Sequence, residues 1–215
     1  MPEPAAADAF YASRPKAYPR EINGRFQRLR KLAVLALLGG LLGLPSLSVA
    51  ADPGLRVNAD TTFGVITIHA EILVPADAKT AWAVLTDYDN LARFVPEMKS
   101  SRVTSAPGQP KRVEQRGKSG MLSFFTPEFI VLQMEETPYE RIKFNKVAGD
   151  VRSMRGEWQI VGNGNPVRVF YRARIVPNVP LPPLLGATMI EMDVEEKLAA
   201  IRREIARRAF ASRSF

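Results

Sequence analysis

From Val65 to Val74 the chain alternates: Ile66, Ile68, Ala70, Ile72 and Val74 fall on one side, Thr67, His69 and Glu71 on the other. A period of two over ten residues predicts a half-buried strand. Pro75 ends it. Asp77 is placed to cap a following helix by accepting backbone N–H bonds. Ala78, Trp82 and Leu85 then share one helical face. Asp87-Tyr88-Asp89-Asn90 breaks that helix, and Leu91 to Val95 gives a second short turn stopped by Pro96.

From Lys99 to Val176 the pattern is strand-like, with turn residues at short intervals: Pro107-Gly108, Gly117 to Gly120, Thr137-Pro138, Gly149-Asp150 and Gly162 to Pro166. The strands predicted between them are Arg102–Ser105, Arg112–Arg116, Phe124–Glu135, Arg141–Val147, Arg152–Val161 and Val167–Val176. Phe124–Glu135 is apolar on both faces, which predicts a buried or curved strand. Val167, Val169, Tyr171, Ala173 and Ile175 face away from Arg168, Arg172 and Arg174, a one-sided pattern. After a proline-rich connection, Pro177 to Pro183, a helix is predicted over Ala187–Ala209. Its stripe is Ile190, Val194, Leu198, Ile201 and Ile205. Acids load its first half and arginines its second, which suits the helix dipole.

The expected order is strand, two short helices, six strands and a long helix. This is an α+β domain whose seven strands form an antiparallel meander. A sheet with one apolar face needs a cover. The C-terminal helix is the element long enough to provide it, and a curved sheet gripping a helix leaves a cavity between them.

Ahead of this domain, Arg28-Leu29-Arg30-Lys31 meets an uncharged run from Leu32 to Ala51 that ends in Ser48-Val49-Ala50-Ala51. Basic flank, short apolar core and small terminal residues are the parts of a secretory signal. Residues 1–50 are therefore read as a leader, 51–63 as a linker, 64–210 as the domain and 211–215 as a tail. The expected location is periplasmic or secreted. The alternative is a membrane anchor through residues 32–51, weakened by Gly39, Gly40, Gly43 and Pro45.

The net charge of +8 is uneven, with half of the excess in the leader. The rest lacks a basic stripe interleaved with aromatics, so no nucleic-acid partner is expected. With no cysteine and a single histidine, disulfides, thiolate chemistry and histidine metal clusters are excluded. His69 lies opposite the isoleucines of its strand and reads as a surface residue. Asp87, Asp89 and Asn90 lack the alternate-oxygen spacing of a calcium loop and read as a helix stop. Gly117-Lys118-Ser119-Gly120 lacks the spacing and following helix of a phosphate loop. No cofactor and no catalytic pair is assigned.

Three stretches carry a family resemblance. Ile72 to Asp77 leads into Trp82-Ala83-Val84-Leu85-Thr86-Asp87-Tyr88-Asp89-Asn90-Leu91 and Phe94-Val95-Pro96. Gly156-Glu157-Trp158-Gln159-Ile160 is followed by a Gly/Asn turn and Val169-Phe170-Tyr171. The third is Pro177 to Pro183 before the terminal helix. Together they resemble the helix-grip fold of the START-like superfamily, in its polyketide cyclase/dehydrase or coenzyme Q-binding branch. The resemblance implies a hydrophobic pocket for a lipid, isoprenoid, quinone or similar ligand. It leaves open a cyclase/dehydrase-type enzyme working on an apolar substrate. Candidate ligand contacts are Trp158, Tyr171, Val169, Phe129 and Phe144 on the sheet, with Ile190 and Val194 on the helix. Trp158 serves packing or ligand contact alike, and a buried Tyr171 hydroxyl needs a partner. Met121, Leu122, Phe124 and Phe125 either begin a strand or form an apolar tip for transient membrane contact. The strand reading is preferred.

The leader yields a direct expectation. N-terminal sequencing of protein from its native host should begin at Ala51 or Asp52, and an intact leader on a membrane-bound form would establish the anchor instead.

Overall fold

The computed structural model describes residues 54–118, 127–178 and 187–212. The leader, the Met121–Phe125 segment and most of the proline-rich connection lie outside the described residues. So do the last three residues of the tail.

Eight strands form one antiparallel sheet: β1 (Leu55–Thr62), β2 (Val65–Val74), β3 (Met98–Val103), β4 (Arg112–Gly117), β5 (Phe129–Thr137), β6 (Arg141–Gly149), β7 (Val151–Val161) and β8 (Val167–Pro177). Their order is β1-β2-β8-β7-β6-β5-β4-β3. The chain thus runs as a meander from β3 to β8, and β8 closes against β2. This is the helix-grip arrangement with one strand more than the seven expected.

The added strand corrects the linker reading of residues 51–63. Leu55 and Ala59 are buried and Val57 is half-buried, while Arg56, Asn58 and Asp60 face solvent. This alternation is built on small and polar side chains, so it is faint. The hairpin turn is fainter still. Phe63 and Gly64 both have positive φ, 49° and 74°, the geometry of the two-residue turn that normally advertises itself as Asn-Gly. A phenylalanine in the first position hides it.

Helix α1 (Ala78–Leu85) begins where Asp77 accepts the Thr80 N–H at 2.7 Å. A 3-10 helix, Tyr88–Arg93, follows. Its Asp87-to-Asn90 start is stitched by Asn90 Nδ2 donating to Asp87 at 2.7 Å, and Asp89 accepts the Val103 N–H at 2.8 Å. These carboxylates therefore serve as turn and strand partners. Helix α2 (Ala187–Ala211) is the long cover. Ile190, Leu198, Ile201 and Ile205 are buried and Val194 is half-buried, so one stripe faces the sheet. Among the described residues no helix is long and apolar enough to cross a membrane.

Polar bonds fix α2 along its length. Near its start Glu191 accepts the Ala59 N–H at 2.8 Å, covering the otherwise open edge of β1. In the middle Arg202 donates to the Leu73 carbonyl at 2.8 Å. At its end Arg208 bridges Asp87, at 2.6 Å, and Glu204, at 2.7 Å. The bond from Arg207 leads in holding Glu204 down at about 2, helped by Arg208 against the opposing effect of burial. Burial raises Asp87, but its bonds from Asn90 and Arg208 outweigh that and leave it lowered.

A carboxylate held low contributes stability that is complete above its ordinary value and disappears as pH falls toward its folded value. Arg208→Met should therefore cost about 1–3 kcal/mol in urea unfolding at neutral pH, since it removes two charge-assisted bonds. The gap between variant and wild type should close as pH is lowered from about 4.5 toward 2.

Candidate functional site

The register of the strands builds an aromatic wall on the inner face of the sheet. Across β6, β7 and β8, Phe144 lies opposite Gly156 and Gly156 opposite Ala173; one row on, Ile142, Trp158 and Tyr171 align. A Cβ at position 156 would collide with the Phe144 ring and with the Arg172 carbonyl. Glycine leaves room for Phe144 to lie across the strand and stack on Tyr171, with centroids 6.1 Å apart and planes 16° apart. Trp158 meets the same tyrosine at 4.5 Å.

Between this wall and α2 lies a cavity with two adjoining lobes of about 180 and 190 Å³. One lobe runs under the start of α2, bordered by Ile66, Ile68, Ile130, Ile175 and Ile190. The other runs toward α1, bordered by Leu132, Met134, Phe144, Trp158, Leu198 and Ile201. Met98, Gln115, Met154, Tyr171, Val194 and Lys197 belong to both.

The lining is apolar, with a few polar groups. Tyr171 is enclosed by protein yet keeps accessible surface, and that surface faces the cavity. Burial pushes its phenol above the ordinary value. Among the described residues its hydroxyl has no hydrogen-bond partner, so it remains a neutral donor available to a ligand. The Gln115 amide is likewise uncommitted among the described residues. Lys197 is neutralised by Asp193 one helical turn earlier. Tyr88 presents its ring to the second lobe but gives its hydroxyl to Glu136 at 2.8 Å. Burial first, then that bond, raises its phenol. Lys111 also reaches Glu136 at 2.8 Å.

Five of the residues expected from sequence border the cavity: Trp158, Tyr171, Phe144, Ile190 and Val194. Two do not. Val169 is fully buried between Ile72 and Ile160 and meets no open space. Phe129 lies on the other face of β5, where its cross-strand neighbour Arg116 covers its ring at 4.7 Å. The inner positions of β5 are Ile130, Leu132 and Met134, one residue out of phase with it. Met98, Met154 and Gln115 are lining residues that sequence reasoning misses. Gln115 shares a face with Val113, but a single amide in a six-residue strand carries no mark of lining a cavity. Trp82 packs edge-on against Tyr139 at 5.9 Å, outside both lobes. His69 is exposed on the outer face.

An antiparallel sheet curved around one long helix, with an apolar hollow between, defines the ligand-enclosing helix-grip class. The chain belongs to the family described as polyketide cyclase/dehydrase and lipid transport, whose model matches residues 74–202. Among solved structures it is similar to a STAR-related lipid transfer protein from Xanthomonas axonopodis, at 15% identity over 72% of this chain and 95% of that one, with a TM-score of 0.57. It is also similar to the Zhui aromatase/cyclase from Streptomyces sp. R1128, at 18% identity over 67% of this chain and 93% of that one, TM-score 0.54. A START superfamily protein from Mycobacterium smegmatis shows 14% identity over 67% of this chain and 97% of that one, TM-score 0.52. At these identities the likeness is one of fold. Among curated proteins, none matches the chain.

The aromatic wall can be checked at its glycine. Gly156→Ala should destabilise the domain by about 1–3 kcal/mol, as overpacking does. It should also change the Trp158 fluorescence, because Phe144 has to leave its place on Tyr171.

Proposed function

We propose that this protein is an exported carrier that binds a lipid, isoprenoid or similar apolar molecule in the cavity between sheet and α2. The observation that carries the reading is a mainly apolar hollow between sheet and helix with one uncommitted phenol, Tyr171, facing into it. Burial of apolar ligand surface, at roughly 25 cal/mol per Å², supplies most of the affinity. Tyr171 and Gln115 set orientation by bonding an oxygen on the ligand, the usual division of labour in such pockets.

A cyclase-type enzyme needs an acid or base free to reach the reacting atoms of its substrate. Two carboxylates border the cavity, Asp193 bonded to Lys197 and Glu97 paired with Lys118 at 3.7 Å, and among the described residues neither is within bonding distance of the Tyr171 phenol. The carrier reading is preferred on that ground.

Val194 touches both lobes and is only half-buried. Val194→Trp should fill the space and weaken uptake of an apolar fluorescent probe by about tenfold or more, with the fold intact by circular dichroism. Val194→Ala should cost less stability than Ile205→Ala, which removes a fully packed side chain and should cost about 2–5 kcal/mol. Unchanged probe uptake in Val194→Trp would overturn the assignment. Mass spectrometry of protein from its native host should detect a co-purifying apolar compound.

A further inference from the structure

Strands β6 and β7 part company at one end. Their pairing stops at Asn145 opposite Arg155. Beyond that point β6 continues on β5 as far as Gly149, and β7 continues on β8 as far as Val151. Each continuation contains a register shift, between Val131 and Leu132 on one side and between Val151 and Ser153 on the other. Such bulges bend the strands apart, and the sheet opens into a notch.

Four cations, Lys146, Arg152, Arg155 and Arg174, line a recess of about 420 Å³ at this notch. Asn145 and Ser153 add neutral hydrogen-bonding groups, and among the described residues no carboxylate borders it. Arg155 and Arg174 are directly opposite each other on β7 and β8, a like-charge pairing that opposes folding. Nearby acids are already engaged. Glu157 pairs with Arg172 at 3.1 Å, and Asp150 accepts the Phe129 N–H at 2.8 Å. Among the described residues neither guanidinium has an acidic partner, and both are open to an incoming anion.

The remaining wall of the recess is Met154, and Met154 also borders both lobes of the inner cavity. Arg155 and Arg174 stand on the outer face of the sheet with His69, and the place where β6 and β7 are unpaired, lined by the flexible thioether of Met154, is where that face adjoins the apolar hollow. We infer that the notch holds the anionic head of the ligand whose apolar body lies in the cavity, so that the ligand is an amphiphile with a phosphate-type or carboxylate head. The inference rests on the carrier reading and adds the chemistry of the head. Guanidinium groups presented as a cross-strand pair suit such oxyanions through charge-assisted, forked hydrogen bonds.

The test is displacement of an apolar fluorescent probe from the full-length chain by three amphiphiles of one chain length: decyl phosphate, decanol and decyltrimethylammonium. Decyl phosphate should bind about tenfold more tightly than decanol, and the cationic amphiphile more weakly than either. Arg155 and Arg174 are exposed, so the double variant Arg155→Gln, Arg174→Gln should fold. It should bring decyl phosphate to the affinity of decanol and leave decanol unchanged. Arg174→Gln alone should give an intermediate preference, which keeps the test decisive if the double variant does not fold. Equal binding of decyl phosphate and decanol by wild type would overturn the head assignment and leave the carrier reading standing. So would retention of the preference in the variants. Inorganic phosphate should bind far more weakly than decyl phosphate; equal binding would make the notch a free-anion site and overturn the amphiphile. Failure of all three amphiphiles to displace the probe would remove the carrier reading and this inference together.

Discussion

An α-helix with its side chains is about 10 Å across, and neighbouring strands lie about 4.8 Å apart. One helix therefore covers two or three strands, yet α2 is the cover for a sheet of eight. The mismatch has to be absorbed. The sheet curls so that more strands reach the helix, and α1 with the 3-10 helix closes one side. What still cannot touch α2 is left as open space. The cavity follows from this ratio of cover to sheet, and its shape follows from which inner side chains fall short of the helix.

The same constraint explains how α2 is held. Its apolar stripe cannot close on the whole inner face, so polar bonds at its margins complete the attachment. Glu191 holds the edge of β1, Arg202 holds the Leu73 carbonyl and Arg208 holds Asp87. Ile205 is fully packed near the Arg208 end, whereas Val194 stands at the cavity. The cavity reaches as far as Leu198 and Ile201. The stripe thus changes character along the helix without any change in residue type. Methionines at positions 98, 134 and 154 complete the lining, and their flexible side chains adapt to ligands of differing outline.

Much of the architecture is legible in the sequence because period-two alternation is strong in β2 and β8, where isoleucine and valine face arginine, histidine and glutamate. The α2 stripe is legible for the same reason at helical period. The β1 strand is not, since Leu55, Val57 and Ala59 are a thin apolar series and Phe63-Gly64 disguises its turn. Phe129 falls in a run apolar on both faces, where phase is ambiguous; a one-residue difference takes it from the cavity to the other side. Val169 has the right face but the wrong height, because distance along a strand from the cavity depends on where α2 crosses. The notch is beyond reach for a related reason. Register shifts and the point where two strands separate are set by tertiary pairing, and Arg155 and Arg174 become neighbours only through it.

The pairing of β2 with β8 joins residues about a hundred positions apart in the chain, as Ile66 with Ile175 shows. Contacts of such long sequence separation slow folding, because the loop must close before the pairing rewards it. During synthesis β2 has only the β1 hairpin for company until nearly the whole domain has emerged, and α2 comes later still. The hairpins from β3 to β7 can pair as they are made, but the side of β2 that faces β8 has no partner until then. The domain therefore closes late, when its last strand and helix arrive.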